Sequence, residues 1–123
     1  MLAPARAGEI EWAHALAGGL SVRGAEGSVA RNAIEPGSPL PIHRHRSTSE
    51  TVVCLRGRLV EEFYDELERI CTERIELSPD GPVAALNIPV RQWHTARALE
   101  SGTVILEMKD GAYETIGEED ILE

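Results

Sequence analysis

Two histidines and a glutamate, His43, His45 and Glu50, arrive within eight residues, and another histidine, His94, lies far downstream. Imidazole nitrogens and carboxylate oxygens are the side-chain donors that hold first-row divalent metals. The first three stand in the frame Gly37-x5-His43-x-His45-x4-Glu50-x6-Gly57, between two glycines. The last stands in Pro89-x3-Trp93-His94. An isolated His-x-His beside arginines is more often a solvated strip. The glutamate at fixed spacing, the flanking glycines and the distant Pro…His raise the odds of a metal centre. His14 stands apart, with no partner near it, and is expected to be structural or on the surface.

These residues need elements to bring them together. Residues 9–17 carry Ile10, Ala13, Leu16 and Ala17 at helical spacing and stop at Gly18-Gly19, which predicts a short N-terminal helix. Beyond it the helical period disappears. Short alternating stretches predict strands near 20–23, 28–35, 41–46, 50–56, 58–65, 69–77, 83–88, 93–99 and 103–109. Turns are expected where Gly, Pro, Ser and Asp collect between them. Many short strands at regular spacing point to an all-β sandwich or barrel. The acidic tail 114–123 is expected to be a short helix or frayed.

Successive side chains on a strand face opposite sides, so alternation sorts the candidates. His43 and His45 share a face, as do Glu50, Val52 and Cys54. His94 faces with Ala96 and Ala98, whose small size would leave room for a ligand. Thr103, Ile105, Glu107 and Lys109 form one face of the last strand. Glu107, inside the otherwise apolar run Val104–Met108, is the candidate for acid–base work, because a buried carboxylate is costly unless paired. An ion pair with an arginine is its competing role. Tyr113 is the second catalytic candidate; it and Lys109 lie near a turn, where surface placement is expected. Arg31 and Asn32 fall on opposite faces, so at most one enters a barrel. Trp93 should point away from His94, into sheet packing or a dimer contact.

Composition bounds the rest. With 123 residues, 42% of them hydrophobic, the chain is expected to form a single domain, residues 1–123, with its core at about 20–113. A formal net charge of −9 argues against nucleic-acid and anionic-membrane partners. No apolar run approaches the roughly 20 residues of a spanning helix, and Glu9 and Glu11 interrupt the pattern of a secretion signal. A cytoplasmic protein is expected. Cys54 and Cys71 read as buried free thiols, with a disulfide left open.

The frame from Gly37 to Gly57 resembles the first cupin motif, and Pro89 to His94 resembles the second. In the second motif Arg91 stands in place of a glycine and Ala98 in place of an asparagine, which puts the local turn in question more than the ligand. Over roughly residues 28–113 the chain looks like the WbuC-type cupin-fold metalloproteins. The residues behind this likeness are Glu35-Pro36-Gly37, Leu55-Arg56-Gly57-Arg58, Phe63-Tyr64-Asp65, Gln92-Trp93-His94-Thr95 and Glu107-x-Lys109-Asp110-Gly111-x-Tyr113. Such proteins are often associated with bacterial surface-polysaccharide gene clusters. The resemblance implies a small jelly-roll barrel and a homodimer. It also implies one divalent ion per chain (Fe, Mn, Ni or Zn) held by His43, His45, Glu50 and His94. The chemistry implied is that of a metal-dependent enzyme on a small polar, sugar-related substrate, or of a binding or sensor domain anchored by the metal.

Overall fold

The computed structural model describes residues 10–12, 20–24, 27–38, 40–112, 114 and 116–122. In chain order the strands are β1 (Ile10–Trp12), β2 (Leu20–Gly24), β3 (Ser28–Ile34), β4 (Ile42–His43), β5 (Glu50–Arg56) and β6 (Leu59–Tyr64). They continue with β7 (Cys71–Leu77), β8 (Ala85–Ile88), β9 (Trp93–Ala98), β10 (Thr103–Lys109) and β11 (Ile121–Leu122). A 3-10 turn, Glu118–Asp120, precedes β11. Among the described residues one sheet has the order β1-β2-β3-β10-β5-β8 and the other β11-β4-β9-β6-β7. Every recorded pairing is antiparallel.

The core lies between the sheets. Val52, Cys54, Leu59, Leu77, Ile88 and Ile105 form it, with Ile34, Phe63, Ile75, Val83, Leu86 and Ala96 packed against it. A fully buried Leu or Ile contributes about 1.5–3 kcal/mol, and these residues are spread over both sheets, so burial holds the two layers together. β5 shows the alternation directly: Glu50, Val52 and Cys54 are buried, while Thr51 and Val53 between them are partly exposed.

The turn between β5 and β6 depends on Gly57. Its φ is +80°, and a Cβ there would lie 2.4 Å from Thr103 Oγ1 and 2.9 Å from Thr103 Cα. Thr103 is fully buried, so that backbone contact has no room to relax.

Three sequence expectations are corrected. Ile10–Trp12 is a strand paired with β2, not the start of a helix; pairing with β2 outweighs a weak amphipathic pattern. Residues 13–17, His14 among them, lie outside the described residues. The strand expected over 41–46 is only Ile42–His43. The tail, expected to be a short helix or frayed, has a short 3-10 helix at Glu118–Asp120 and then pairs as a strand, Ile121 with His43 and Leu122 with Ile42. Cys54 and Cys71 are both free, and only Cys54 is buried.

Candidate metal centre

The predicted ligands enter from different strands. His43 lies on β4 directly opposite His94 on β9, and β9 in turn pairs with β6. Glu50 opens β5, and His45 follows β4. The ring centroids of His43 and His94 are 4.4 Å apart, those of His43 and His45 5.1 Å, and those of His45 and His94 5.4 Å. One nitrogen from each of the three rings lies within 4.8 Å of the others, so the cluster could hold a metal ion. Glu50 joins it, with Oε2 2.6 Å from His45 Nε2.

A hydrogen bond orients one of the three rings. His43 Nδ1 donates to the carbonyl of Pro41 at 2.9 Å, which leaves Nε2 carrying the lone pair. His94 has no hydrogen bond at either ring nitrogen, and both are buried. Its Nδ1 faces Glu61 Oε1 at 3.6 Å, too far for a hydrogen bond. His45 Nε2 and Glu50 Oε2 approach closely without hydrogen-bonding geometry, and both are sealed from water. A protonated His45 would make an ion pair there, yet burial lowers its pKa to about 4. A cation bound by both atoms would satisfy this buried pair. Burial lowers His94 to about 2 and lowers His43 as well, so the cluster presents neutral imidazoles, the form that binds metal. The donor set therefore fits a divalent ion.

Two further carboxyl groups converge on the cluster. Glu61 is raised to about 9, first by burial and then by the charges of Glu50 and Glu107. The alternation of β6 had the signal for it: Leu59, Glu61 and Phe63 share a face, with a carboxylate between two apolar residues. Glu107 is raised to about 8, first by burial and then by its hydrogen bond with Glu50. Asn32 Nδ2 donates to Glu107 Oε1 at 3.2 Å, so the partners found for Glu107 are an amide and a carboxyl group rather than an arginine. Asn32, not Arg31, faces inward. Lys109, expected on the surface, is partly buried on the cavity wall. Tyr113 lies outside the described residues.

The outer shell is tied down by charge. Arg44 and Arg46 flank His45, and both bond to Asp120 Oδ1, Arg44 through Nε at 2.8 Å and Arg46 through Nη2 at 3.1 Å. Arg44 also lies over the Trp93 ring, 4.7 Å from its centroid, and Trp93 Nε1 donates to Glu66 Oε2 at 2.7 Å. Trp93 thus packs on the outer side of its sheet, as the alternation predicts. Arg91 keeps the turn that a glycine would make: its φ is +68°, and its N–H donates to the carbonyl of His45 at 2.8 Å.

A cavity of about 440 Å³ opens over the cluster, lined by the three histidines, Glu50, Glu61, Glu107, Asn32 and Lys109. Its remaining walls include Ile34, Leu40, Ala96, Ala98, Ile105 and Ile116.

Solved structures share this architecture. KdgF from Halomonas sp. is 19% identical with a TM-score of 0.59, covering 84% of this chain and 89% of its own. Oxalate decarboxylase from Bacillus subtilis is 16% identical with a TM-score of 0.63, covering 85% of this chain and 27% of its own. The coconut allergen cocosin is 16% identical with a TM-score of 0.64, covering 85% of this chain and 29% of its own. This chain has the cupin fold. Residues 28–77 of this chain also match a family described as a domain of unknown function, DUF6016. That match includes His43, His45 and Glu50 and ends before His94. No curated protein matches the chain. The chain spans less than a third of the oxalate decarboxylase and cocosin chains. Among the described residues no helix is long and apolar enough to cross a membrane.

Proposed function

We propose that this cupin binds one divalent cation through His43, His45, Glu50 and His94 and acts as a metal-dependent enzyme on a small substrate with a polar reacting end. The observation that carries this reading is the set of buried donor atoms with no hydrogen-bond partner: His45 Nε2, Glu50 Oε2 and both ring nitrogens of His94. The bound ion would supply electrophilic polarisation of a substrate oxygen or a lowered pKa for bound water. Six-coordinate Fe, Mn or Ni would leave two positions for substrate.

Glu107 is the residue we assign to proton transfer. It lines the cavity, Asn32 holds its Oε1, and burial brings its pKa to about 8, close to the operating range of a general acid or base. Tyr113 stays a candidate on sequence grounds. The WbuC resemblance supports a sugar-related substrate, a role in polysaccharide biosynthesis and a homodimer. The net charge of −9 supports a protein without nucleic-acid or anionic-membrane partners.

Four protein donors would also suffice for a four-coordinate zinc ion, which favours a second reading. In it, Zn is held in a closed site and the protein binds a small molecule without turnover.

Elemental analysis of protein purified without added metal tests the first step. About one ion per chain is expected, and His45→Ala should abolish it; full retention in that variant overturns the site. Thermal shifts with small ligands followed by turnover assays separate the enzyme from the sensor.

A further inference from the structure

The cavity is polar at one end and apolar at the other. Along β9 its wall runs His94, Ala96, Ala98, and along β10 it runs Lys109, Glu107, Ile105. Along β3 it runs Asn32, Ile34. Each strand thus passes from a polar side chain to an alkyl one. The polar ends coincide, because Lys109 pairs with Glu50, and Glu50 meets His45 beside His94. The alkyl side chains line the same cavity: Ile105 pairs with Asn32 and stands diagonal to Ile34, which pairs with Thr103, and Ala96 and Ala98 come from β9 of the other sheet. Leu40 and Ile116 add further apolar wall; Glu35 and Ser38 also line the cavity, and the Glu35 carboxylate is taken up by the Ser101 hydroxyl and the Gly102 N–H, each at 2.7 Å.

The dimensions follow from strand geometry. Four residues separate His94 from Ala98, which at 3.3 Å each is about 13 Å of wall. After a chelating head group is placed, room remains for a chain of roughly six carbons. The volume of about 440 Å³ lies in the range of small-molecule pockets. The alanines at 96 and 98 keep the slot open where any larger side chain would fill it. A molecule hydroxylated along its whole length would leave its far hydroxyl groups against Ile34, Ala98 and Ile105 without hydrogen-bond partners, which is unfavourable.

We propose that the ligand of this cavity is a bidentate oxygen chelator carrying an apolar chain or ring, its oxygens at the histidine cluster and its hydrocarbon body against Ala96, Ala98, Ile34 and Ile105. This rests on the metal reading above and, for the body of the substrate, argues against the sugar-related class that the resemblance supports.

The test uses metal-loaded protein and hydroxamic acids, whose head group chelates in the same way whatever the tail. Acetohydroxamate, butanohydroxamate, hexanohydroxamate and gluconohydroxamate are titrated calorimetrically, with metal-free protein as control. Affinity should rise about fourfold for each added methylene, the gain expected for burying one CH₂. Hexanohydroxamate should bind at least ten times more tightly than gluconohydroxamate, which has the same length but a hydroxylated tail. Ala98→Phe should collapse the ratio of hexanohydroxamate to acetohydroxamate affinity. Should that variant not fold, the wild-type comparison decides alone. A flat series, or gluconohydroxamate binding as tightly as hexanohydroxamate, overturns the substrate class and leaves the metal site standing. Acetohydroxamate binding equally with and without metal overturns the metal reading and this inference with it.

Discussion

Arg44 Nε donates to Asp120 Oδ1 at 2.8 Å, and this contact ties the C-terminal segment to the chain that carries the histidine pair. Asp120 also takes hydrogen bonds from Nε and Nη2 of Arg46 and is only 7% exposed. Its backbone carbonyl accepts from the N–H of Arg44 at 3.0 Å. Asp120→Ala removes the charged bonds and leaves two guanidinium groups without that acceptor. A loss of about 2–3 kcal/mol is expected in urea unfolding, together with weaker metal retention, because His45 sits between the two arginines. A change below about 0.5 kcal/mol would show that the segment does not grip.

Arg91 occupies a backbone conformation that suits glycine. A turn from Pro89 to Gln92 is closed by the Gln92 N–H at 3.2 Å, with φ of +68° at Arg91. A side chain in that region costs roughly 1–2 kcal/mol, part of which glycine gives back through the unfolded chain. Arg91→Gly should raise the unfolding free energy by about 0.5–1 kcal/mol. A drop in stability would mean that the Arg91 side chain makes a contact worth more than the strain.

Glu61 faces His94 Nδ1 from a fully enclosed position. A carboxyl group behind a metal-bound imidazole orients the ring, and losing such a partner commonly lowers metal affinity 10–100-fold. Glu61→Leu is expected to show that loss in competition with a chromophoric chelator, and Glu61→Gln a smaller one. Equal affinity in all three proteins would remove Glu61 from the site.

Stability of metal-free protein should fall toward both acid and alkaline pH. Burial holds His45 at about 4 against 6.5 in the open chain. Between those values the unfolded chain takes a proton that the folded chain refuses, so stability falls as pH drops from 6.5 toward 4. His43 and His94, also lowered, act in the same direction. Glu61 works oppositely: its pKa rises from 4.5 to about 9, so its contribution is fully present below 4.5 and is lost as pH climbs toward 9. Urea midpoints across pH on chelator-treated protein check both arms. Glu107, raised from 4.5 to about 8, adds to the alkaline arm, so Glu61→Gln should make that arm shallower, and an unaltered profile in that variant would contradict the assignment.

The strands from β2 to β10 were legible in the sequence because each apolar alternation is bounded by Gly, Pro, Asp or Ser, and the turns fall where those residues collect. The clustering of His43, His45 and His94 was legible from residue type and spacing. Ile10–Trp12 was misread because three residues fit a helical face as well as a strand, and only the partner strand decides between them. Glu61 was overlooked although it interrupts an apolar face as Glu107 does; the adjacent Glu62, which faces the other way and meets Arg74 at 2.6 Å and Arg97 at 3.1 Å, makes the pair read as a solvated acidic patch. The docking of Asp120 depends on contacts with residues 44 and 46, a separation that local patterns do not encode.

β4 is two residues long and meets β9 through the single pair His43–His94. An ion shared by those two side chains would rivet that junction and close a loop of about fifty residues, much as a covalent cross-link does. Loading and folding of this corner would then be one event. Amide exchange at Ile42–Arg46 would report occupancy, and a chelator would unfasten the segment before the rest of the barrel melts.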